Sequence, residues 1–434
     1  MKKSKKIMLV VPSHEGAVGE DYTHEFFQNA AVKYMPLGVL SIAACLKDRH
    51  DVVVLDSSSK GYSIEQTLVE IEKESPDILG ISAVTYRAWQ VKELLKRAKC
   101  KIKVVGGPHA TYYFNQLLEQ GADAVFTGDA EKSFPKWIEE GCPKGVIRGG
   151  IVNLDSIPFP ARDLVDLNDY KIQPNEDLLF DVGELRLPLF SSKGCPFKCN
   201  YCDVQQKKFN WKPPAMVVEE FRQIIDLGAS SIHILDDCFN VRRNRVMEIC
   251  ELLQEAKVDV DWSVRGAVER REDVIKSLSE AGCKRIHVGI EHLDDDILTY
   301  FKKSHRYKDI VTFTELCSKY GIMALGYFII GAPGESEEYL KKLPDMIKEL
   351  GIAYPFFNIL APLNDTTYYA ELLKSGVIEK DYWRGFINNP TKCFAMPSGN
   401  TPERDRMLKD YVEHYIEVFY PKSVANIPIE EVAS

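Results

Sequence analysis

Ser192-Lys193-Gly194-Cys195-Pro196-Phe197-Lys198-Cys199-Asn200-Tyr201-Cys202-Asp203 places three cysteines at C-x3-C-x2-C spacing, directly after the apolar run Leu187–Phe190. Spacing this tight lets three thiolates of one loop converge on a soft metal centre. Structural zinc closes its shell with four protein ligands, and no fourth cysteine stands nearby. Three thiolates on a four-iron cluster would leave one iron open to an outside ligand. A disulfide or a zinc loop is the plain alternative, so the reading depends on a strand–loop–helix setting around the motif.

The rest of the composition is that of an ordinary globular protein. The chain has 434 residues, 45% hydrophobic and 27% charged, enough for two or three domains each with its own core. No run of about 18 uncharged apolar residues is present, so no membrane span is expected. The basic start, Met1 to Lys6, leads into a strand pattern too short for a signal-peptide core. A formal charge of −9 argues against a large nucleic-acid footprint. The eight cysteines outside the motif (Cys45, Cys100, Cys142, Cys238, Cys250, Cys283, Cys317 and Cys393) are scattered singly. Lone thiols in apolar patterns are usually core filler in a reducing compartment, which makes a cytoplasmic location the expectation.

Upstream of the motif, strands alternate with helices. Lys6–Val11, Asp51–Asp56, Ile78–Ser82, Ile102–Val105 and Ala124–Phe126 read as buried strands. Helical spacing fills Pro36–Leu46, Ile64–Lys73, Ala88–Ala98 and Gln116–Gln120. This rhythm predicts a Rossmann-like, doubly wound parallel sheet that binds ligands at its strand C-terminal edge. The loops there are Ser82-Ala83-Val84-Thr85, Gly106-Gly107-Pro108-His109 and Thr127-Gly128-Asp129-Ala130-Glu131. Their glycines let backbone approach a bulky ligand, and their hydroxyls offer directed hydrogen bonds.

A proline-punctuated stretch, Val152–Asp163, reads as a linker. Beyond it, six strand–helix units begin at Leu185–Ser191 and continue at Ile232–Leu235, Val258–Val264, Arg285–Ile290, Met323–Ile330 and Ala353–Leu360. They predict a (β/α)6 partial TIM barrel with its chemistry at strand C-termini. The cysteine loop follows the first of these strands, which is the setting it requires. The expected organisation is 1–145 Rossmann-like domain, 146–180 linker, 181–375 partial barrel and 376–434 a short α-rich C-terminal region.

With its aromatic before the last cysteine, the motif resembles the radical S-adenosylmethionine (SAM) superfamily. Together with Pro36-Leu37-Gly38 and the three glycine- and hydroxyl-rich loops, the chain resembles the B12-binding (cobalamin-dependent) radical SAM family over about residues 6 to 385. One departure stands in the last loop, Gly-Asp-Ala-Glu where Gly-Glu-Gly-Glu is usual. The resemblance implies a [4Fe-4S] cluster on Cys195, Cys199 and Cys202, its open iron chelated by SAM. It implies Tyr201 packed on the adenine, Asp236 and Asp237 at the SAM amine, Arg265 at the carboxylate, Glu291 at the ribose and Ile330 against the base. Cobalamin would lie on Ser82, Thr85, Gly106, Gly107, His109, Thr127, Gly128 and Asp129. The loop Pro12-Ser13-His14-Glu15-Gly16-Ala17 keeps a histidine but lacks the Asp and Gly of the Asp-x-His-x-x-Gly pattern that ligates cobalt. Cobalamin with no histidine on the metal is therefore expected.

The implied activity is methyl transfer from SAM, by way of methylcobalamin, to an unactivated carbon or phosphinate phosphorus after hydrogen abstraction by a 5′-deoxyadenosyl radical. An oxidative ring-forming cyclase is the alternative within the family, and a non-catalytic cobalamin sensor the alternative outside catalysis. An intact C-x3-C-x2-C counts against a sensor, which needs no open iron. Implied partners are a small-molecule, lipid or peptide substrate and an electron donor such as flavodoxin or ferredoxin.

Overall fold

The computed structural model describes residues 4–18, 34–171, 185–204, 206–392 and 394–420. The expected end of the linker at 180, residues 19–33, Cys393 and the residues from Pro421 onward lie outside the described residues. The chain divides into two compact units. Of the described residues, one takes 4–18 and 34–171 together with those of Asp381–Met396; the other takes 185–380 and 397–420.

In the first unit, six strands pair in parallel: β1 (Lys6–Val11), β2 (Asp51–Asp56), β3 (Ile78–Ser82), β4 (Ile102–Gly106), β5 (Ala124–Gly128) and β6 (Gly145–Gly150). Their order is β2-β1-β3-β4-β5-β6. Consecutive side chains of β1 explain why its apolar run is continuous. Met8 and Val10 join Leu79, Ile81, Val91 and Leu94 on one face, while Ile7 and Leu9 join Ala43, Val104, Phe126 and Trp137 on the other. A sheet covered on both faces needs apolar residues at every position, each fully buried Leu, Ile or Val contributing about 1.5–3 kcal/mol. The order reverses direction at β1, and such a switch point opens a crevice beyond the strand C-termini.

The sixth strand carries no strand pattern in its sequence. Three of its six residues are glycines, which have low strand propensity. Packing requires at least one of them, because a Cβ on Gly149 would stand 1.8 Å from the Asp129 carbonyl oxygen.

In the second unit, β7 (Arg186–Leu189), β10 (Ser231–Ile234), β11 (Asp261–Gly266), β12 (Cys283–Glu291), β13 (Met323–Ile330) and β14 (Tyr354–Ile359) form a parallel sheet in unbroken chain order. Crossovers of one hand that never reverse direction keep every helix on one face, so the sheet curls into a barrel rather than lying open between two helix layers. β7 and β14 do not pair, which leaves the barrel partial. A short antiparallel ribbon, β8 (Ser192–Lys193) with β9 (Asn210–Trp211), follows the first barrel strand. The helix Pro402–Phe419 covers β14, with the Tyr415 ring 4.6 Å from Phe357 and its hydroxyl donating to the Leu340 carbonyl at 2.7 Å.

Among the described residues no helix is long and apolar enough to cross a membrane. The C-terminal region expected as one piece is shared between the two units, since Asp381–Met396 belongs with the first and the helix from Pro402 with the second.

Candidate functional site

The cysteine loop is clamped at both ends. Ser192 pairs with Trp211 and Lys193 with Asn210 in the ribbon, and the Cys195 N–H donates to the Gln206 carbonyl at 3.0 Å. Gly194, at φ +87°, sits where a Cβ would meet the Lys208 carbonyl oxygen at 2.5 Å. Cys202 N–H turns back to the Cys199 carbonyl at 3.4 Å, and the Asn200 carbonyl accepts from Tyr368 N–H at 2.9 Å. All three thiols are half-buried and free of disulfides. Burial pushes the Cys202 thiol up to about 11. Cys195 is instead pulled down to about 6, chiefly by a hydrogen bond from the Cys238 thiol.

This donor set fits an iron–sulfur cluster. Among the described residues no three His, Cys, Asp or Glu side chains gather closely enough for a single metal ion. A cluster binds each thiolate on a different iron and so accepts ligands that stand further apart.

The loop's entry is fixed from the end of β10. Asp236, fully buried, accepts backbone N–H bonds from Ser191 (2.7 Å) and Ser192 (2.8 Å) on one oxygen and both serine hydroxyls on the other. A carboxylate has about four acceptor positions, so these bonds leave it none for a ligand amine. Arg245 reinforces the same corner, donating to the Ser191 carbonyl at 2.8 Å and hydroxyl at 2.7 Å. Asp237 is exposed and accepts one bond, from Gly194 N–H at 2.8 Å. Its charge interacts with Arg265, which lies near the end of β11.

Glu291 closes β12 in the left-handed region, at φ +69°, where the register against β13 slips by one residue. Its carboxylate folds back over Gly289, whose Cβ would stand 2.3 Å from Oε1. Lys303 Nζ meets that oxygen at 3.2 Å, both side chains being about one-tenth exposed. Burial pulls the Lys303 ammonium down, but Glu291 and then Cys199 outweigh it and its pKa ends up raised. The Tyr201 phenol, pushed well above its ordinary range by burial, also hydrogen-bonds Glu291, and its ring packs edge-on against Phe301 at 5.0 Å. Ile330 ends β13 fully buried. The next turn is held by Glu335, which accepts from Gly331 N–H at 2.8 Å and faces His292 at 3.2 Å.

The barrel therefore brings Cys195, Cys199, Cys202, Tyr201, Asp237, Arg265 and Glu291 to its strand C-terminal ends, with Asp236 confined to the loop backbone. No sequence pattern marks Ser191, Arg245 or Lys303 as part of the site. Cys238, expected to be core filler, is buried but touches Cys195. The dipeptide Asp236-Asp237 directly before it was the available signal.

In the first unit, the ligand edge has its own polar groups. His109 is fully buried, with Nδ1 3.1 Å from Thr85 Oγ1 and Nε2 without a hydrogen-bond partner. Burial pushes the imidazole down to about 4, so it is neutral at ordinary pH. The Ser13 hydroxyl, beyond the end of β1, is likewise buried and unpartnered. Two such atoms at strand ends fit a large ligand rich in amide groups.

Gly107 and Gly128 serve packing, since their Cβ atoms would stand 2.7 Å from Ala83 O and 2.5 Å from Gly150 O. Gly128 N–H donates to Thr111 Oγ1 at 3.0 Å. Ser82 is half-buried, aligned with Gly106 across β3 and β4, and Thr127 is buried. Asp129 accepts from Val152 N–H at 2.8 Å and so fastens the start of the linker. His14 is held by Arg87, whose Nη2 lies 2.8 Å from its Nε2 while Nη1 donates to the Pro12 carbonyl at 2.9 Å.

A flavodoxin-order sheet with polar strand ends, followed by a parallel partial barrel carrying a three-thiol loop after its first strand, defines a radical SAM enzyme joined to a B12-binding domain. Residues 26–137 match the B12 binding domain and residues 189–347 the Radical SAM superfamily. The chain thus carries both a B12 binding domain and a radical SAM domain.

It is 27% identical over 414 residues to an uncharacterized methyltransferase of Pyrococcus horikoshii, covering 88% of this chain and 86% of the relative. It is 26% identical over 387 residues to the bacteriochlorophyllide d C-12(1)-methyltransferase of Chlorobaculum tepidum, covering 86% and 79%. Its fold is similar to the structure of a radical S-adenosylmethionine methyltransferase of Kitasatospora setae solved with cobalamin and a [4Fe-4S] cluster. That likeness has a TM-score of 0.62 and 17% identity, covering 87% of this chain and 79% of that one.

Proposed function

We propose that this chain moves a methyl group from SAM to an unreactive carbon, or a phosphinate phosphorus, of a small-molecule substrate. The observation that carries the reading is the set of three reduced thiols clamped in one loop after the first barrel strand, in a chain that also holds a B12-binding domain. Methyl transfer is favoured because both relatives described above are named for it. When bound, the [4Fe-4S] cluster supplies one-electron cleavage of SAM and cobalamin supplies a carrier for the methyl group.

The protein's own residues bind and orient. Cys195, Cys199 and Cys202 hold the cluster; Asp237 takes the SAM amine, a role Asp236 has no lone pair left to share. Arg265 pairs with the carboxylate, Glu291 accepts from the ribose, and Tyr201 and Ile330 flank the adenine. Lys303 pairs with Glu291 and keeps it aimed. Ser82, Thr85, Gly106, Gly107, His109, Thr127 and Gly128 line the cobalamin edge, with the neutral His109 able to donate from one nitrogen and accept at the other.

Anaerobic reconstitution with SAM, cobalamin and candidate substrates tests this. S-adenosylhomocysteine and 5′-deoxyadenosine should accumulate together when substrate is present. 5′-Deoxyadenosine without S-adenosylhomocysteine would point to ring closure instead, and neither product would overturn the proposal.

A further inference from the structure

Beside the cysteine loop lies an open groove lined by Trp211, Pro214, Arg242, Arg243, Asn244, Arg245 and Glu248. The Arg242 guanidinium lies over the Trp211 ring at 4.3 Å, and Trp211 stacks on Phe209 at 5.4 Å. Arg242 and Arg243 are exposed, as are Lys198, Lys207 and Lys208 on the loop itself. Arg243 also pairs with Asp273. From Lys193 to Lys212 the sequence has five lysines and one aspartate, in a chain whose formal charge is −9. The basic character is thus local and confronts the overall charge. Trp211 is aligned with Ser192 across the ribbon, three residues before Cys195, so the groove's aromatic floor is built into the clamp of the cysteine loop.

We infer that this face docks a small acidic one-electron carrier protein with an exposed flavin or iron–sulfur edge, which reduces the cluster. The inference rests on the proposed function, because only a cluster that cleaves SAM needs an electron delivered from outside. In the step, one electron leaves the reduced carrier and enters the cluster, and no bond forms or breaks. Charge complementarity selects the partner: an acidic rim meets Lys208 and Arg242, and the apolar edge around the redox centre meets Trp211 and Phe209. Transient redox contacts of this kind are small and steered by charge, so affinity falls with salt. A basic surface with aromatics also suits single-stranded nucleic acid. The position against the cysteine loop favours the electron carrier.

The test uses reconstituted enzyme and a reduced acidic flavodoxin as the probe. Binding is measured by thermophoresis, and electron transfer by stopped-flow oxidation of the flavin. The double variant Lys208→Glu/Arg242→Glu should lose roughly tenfold or more in affinity, with a matching drop in transfer rate. Lys208→Arg/Arg242→Lys should behave as wild type, whose binding should weaken as salt rises. SAM cleavage driven by dithionite, a small reductant that needs no docking, should be unchanged in both variants.

Wild-type binding and oxidation of flavodoxin by the charge-reversed enzyme would overturn the inference. So would loss of its dithionite-driven cleavage, or tight binding of a single-stranded RNA with none of flavodoxin. Absence of dithionite-driven cleavage in the wild type would instead defeat the proposed function, since docking is read separately by binding.

Discussion

Cys195, Cys199 and Cys202 share a loop and a chemical type, and only their surroundings distinguish them from the other cysteines. Each should be indispensable, because a missing thiolate leaves an iron without its protein ligand. Single Ala replacements at these positions should lose the cluster's visible absorbance and SAM cleavage. Cys238→Ala and Cys100→Ala should keep the cluster, since Cys238 donates to a ligand sulfur from outside the C-x3-C-x2-C loop.

His109 makes a different prediction. Its folded value of about 4 lies below the ordinary 6.5, so the unfolded chain binds the extra proton first. Stability from this group is complete above about pH 6.5 and declines as pH falls toward 4. Between pH 7 and pH 5 the loss should be about 2 kcal/mol. Urea unfolding of the first unit should show that loss in the wild type, and His109→Gln should show much less.

His14, already engaged by Arg87, should leave cobalt without an axial nitrogen. Electron paramagnetic resonance of the cobalt(II) form decides it, since nitrogen splitting that vanishes in His14→Ala would refute this.

At the scale of elements, the end of β12 is where backbone strain serves the site. A glutamate at φ +69° costs about 1–3 kcal/mol. The slip in register, the bare Gly289 and the Lys303 ion pair together hold it there. Gly289→Ala places a methyl group within 2.3 Å of the Glu291 carboxylate and must displace it. SAM affinity should fall roughly tenfold or more through the lost charged hydrogen bonds, while cobalamin binding stays unchanged. Calorimetry with each ligand separates the two, and an unaltered SAM affinity would remove Glu291 from the pocket.

At the scale of the whole molecule, the first unit is completed by residues more than two hundred positions away. Trp383 is fully buried, 6.1 Å from Tyr86, 6.0 Å from Phe386 and 5.0 Å from Phe394. Lys392 pairs with Glu15 at 2.7 Å, and Lys92 donates to Asn389 at 2.7 Å. Trp383→Ala should destabilise the first unit by about 3–5 kcal/mol. Chains truncated after Lys171 should unfold at lower denaturant than the same unit in the full chain. Equal midpoints would show that Asp381–Met396 adds nothing.

The parallel strands, the helices between them and the three-thiol loop were legible in the sequence alone. A strand covered on both faces must be apolar throughout, and a loop that gathers three thiolates must carry them close together. Both signals are local. What only the tertiary structure decided depends on partners far apart in the chain. Asp236 is consumed by Ser191 and Ser192, 45 and 44 residues before it, and so cannot serve a ligand amine. Lys303 finds Glu291 twelve residues back only because β12 turns its end toward it. β6 hid behind its glycines until the close approach of Asp129 required one of them. Nothing local to Trp383 names its partner, Tyr86, almost three hundred residues earlier in the chain. Hydrophobic period and motif spacing are properties of neighbouring residues; the use of a lone pair, or the partner of a ring, is settled only once distant segments share a surface.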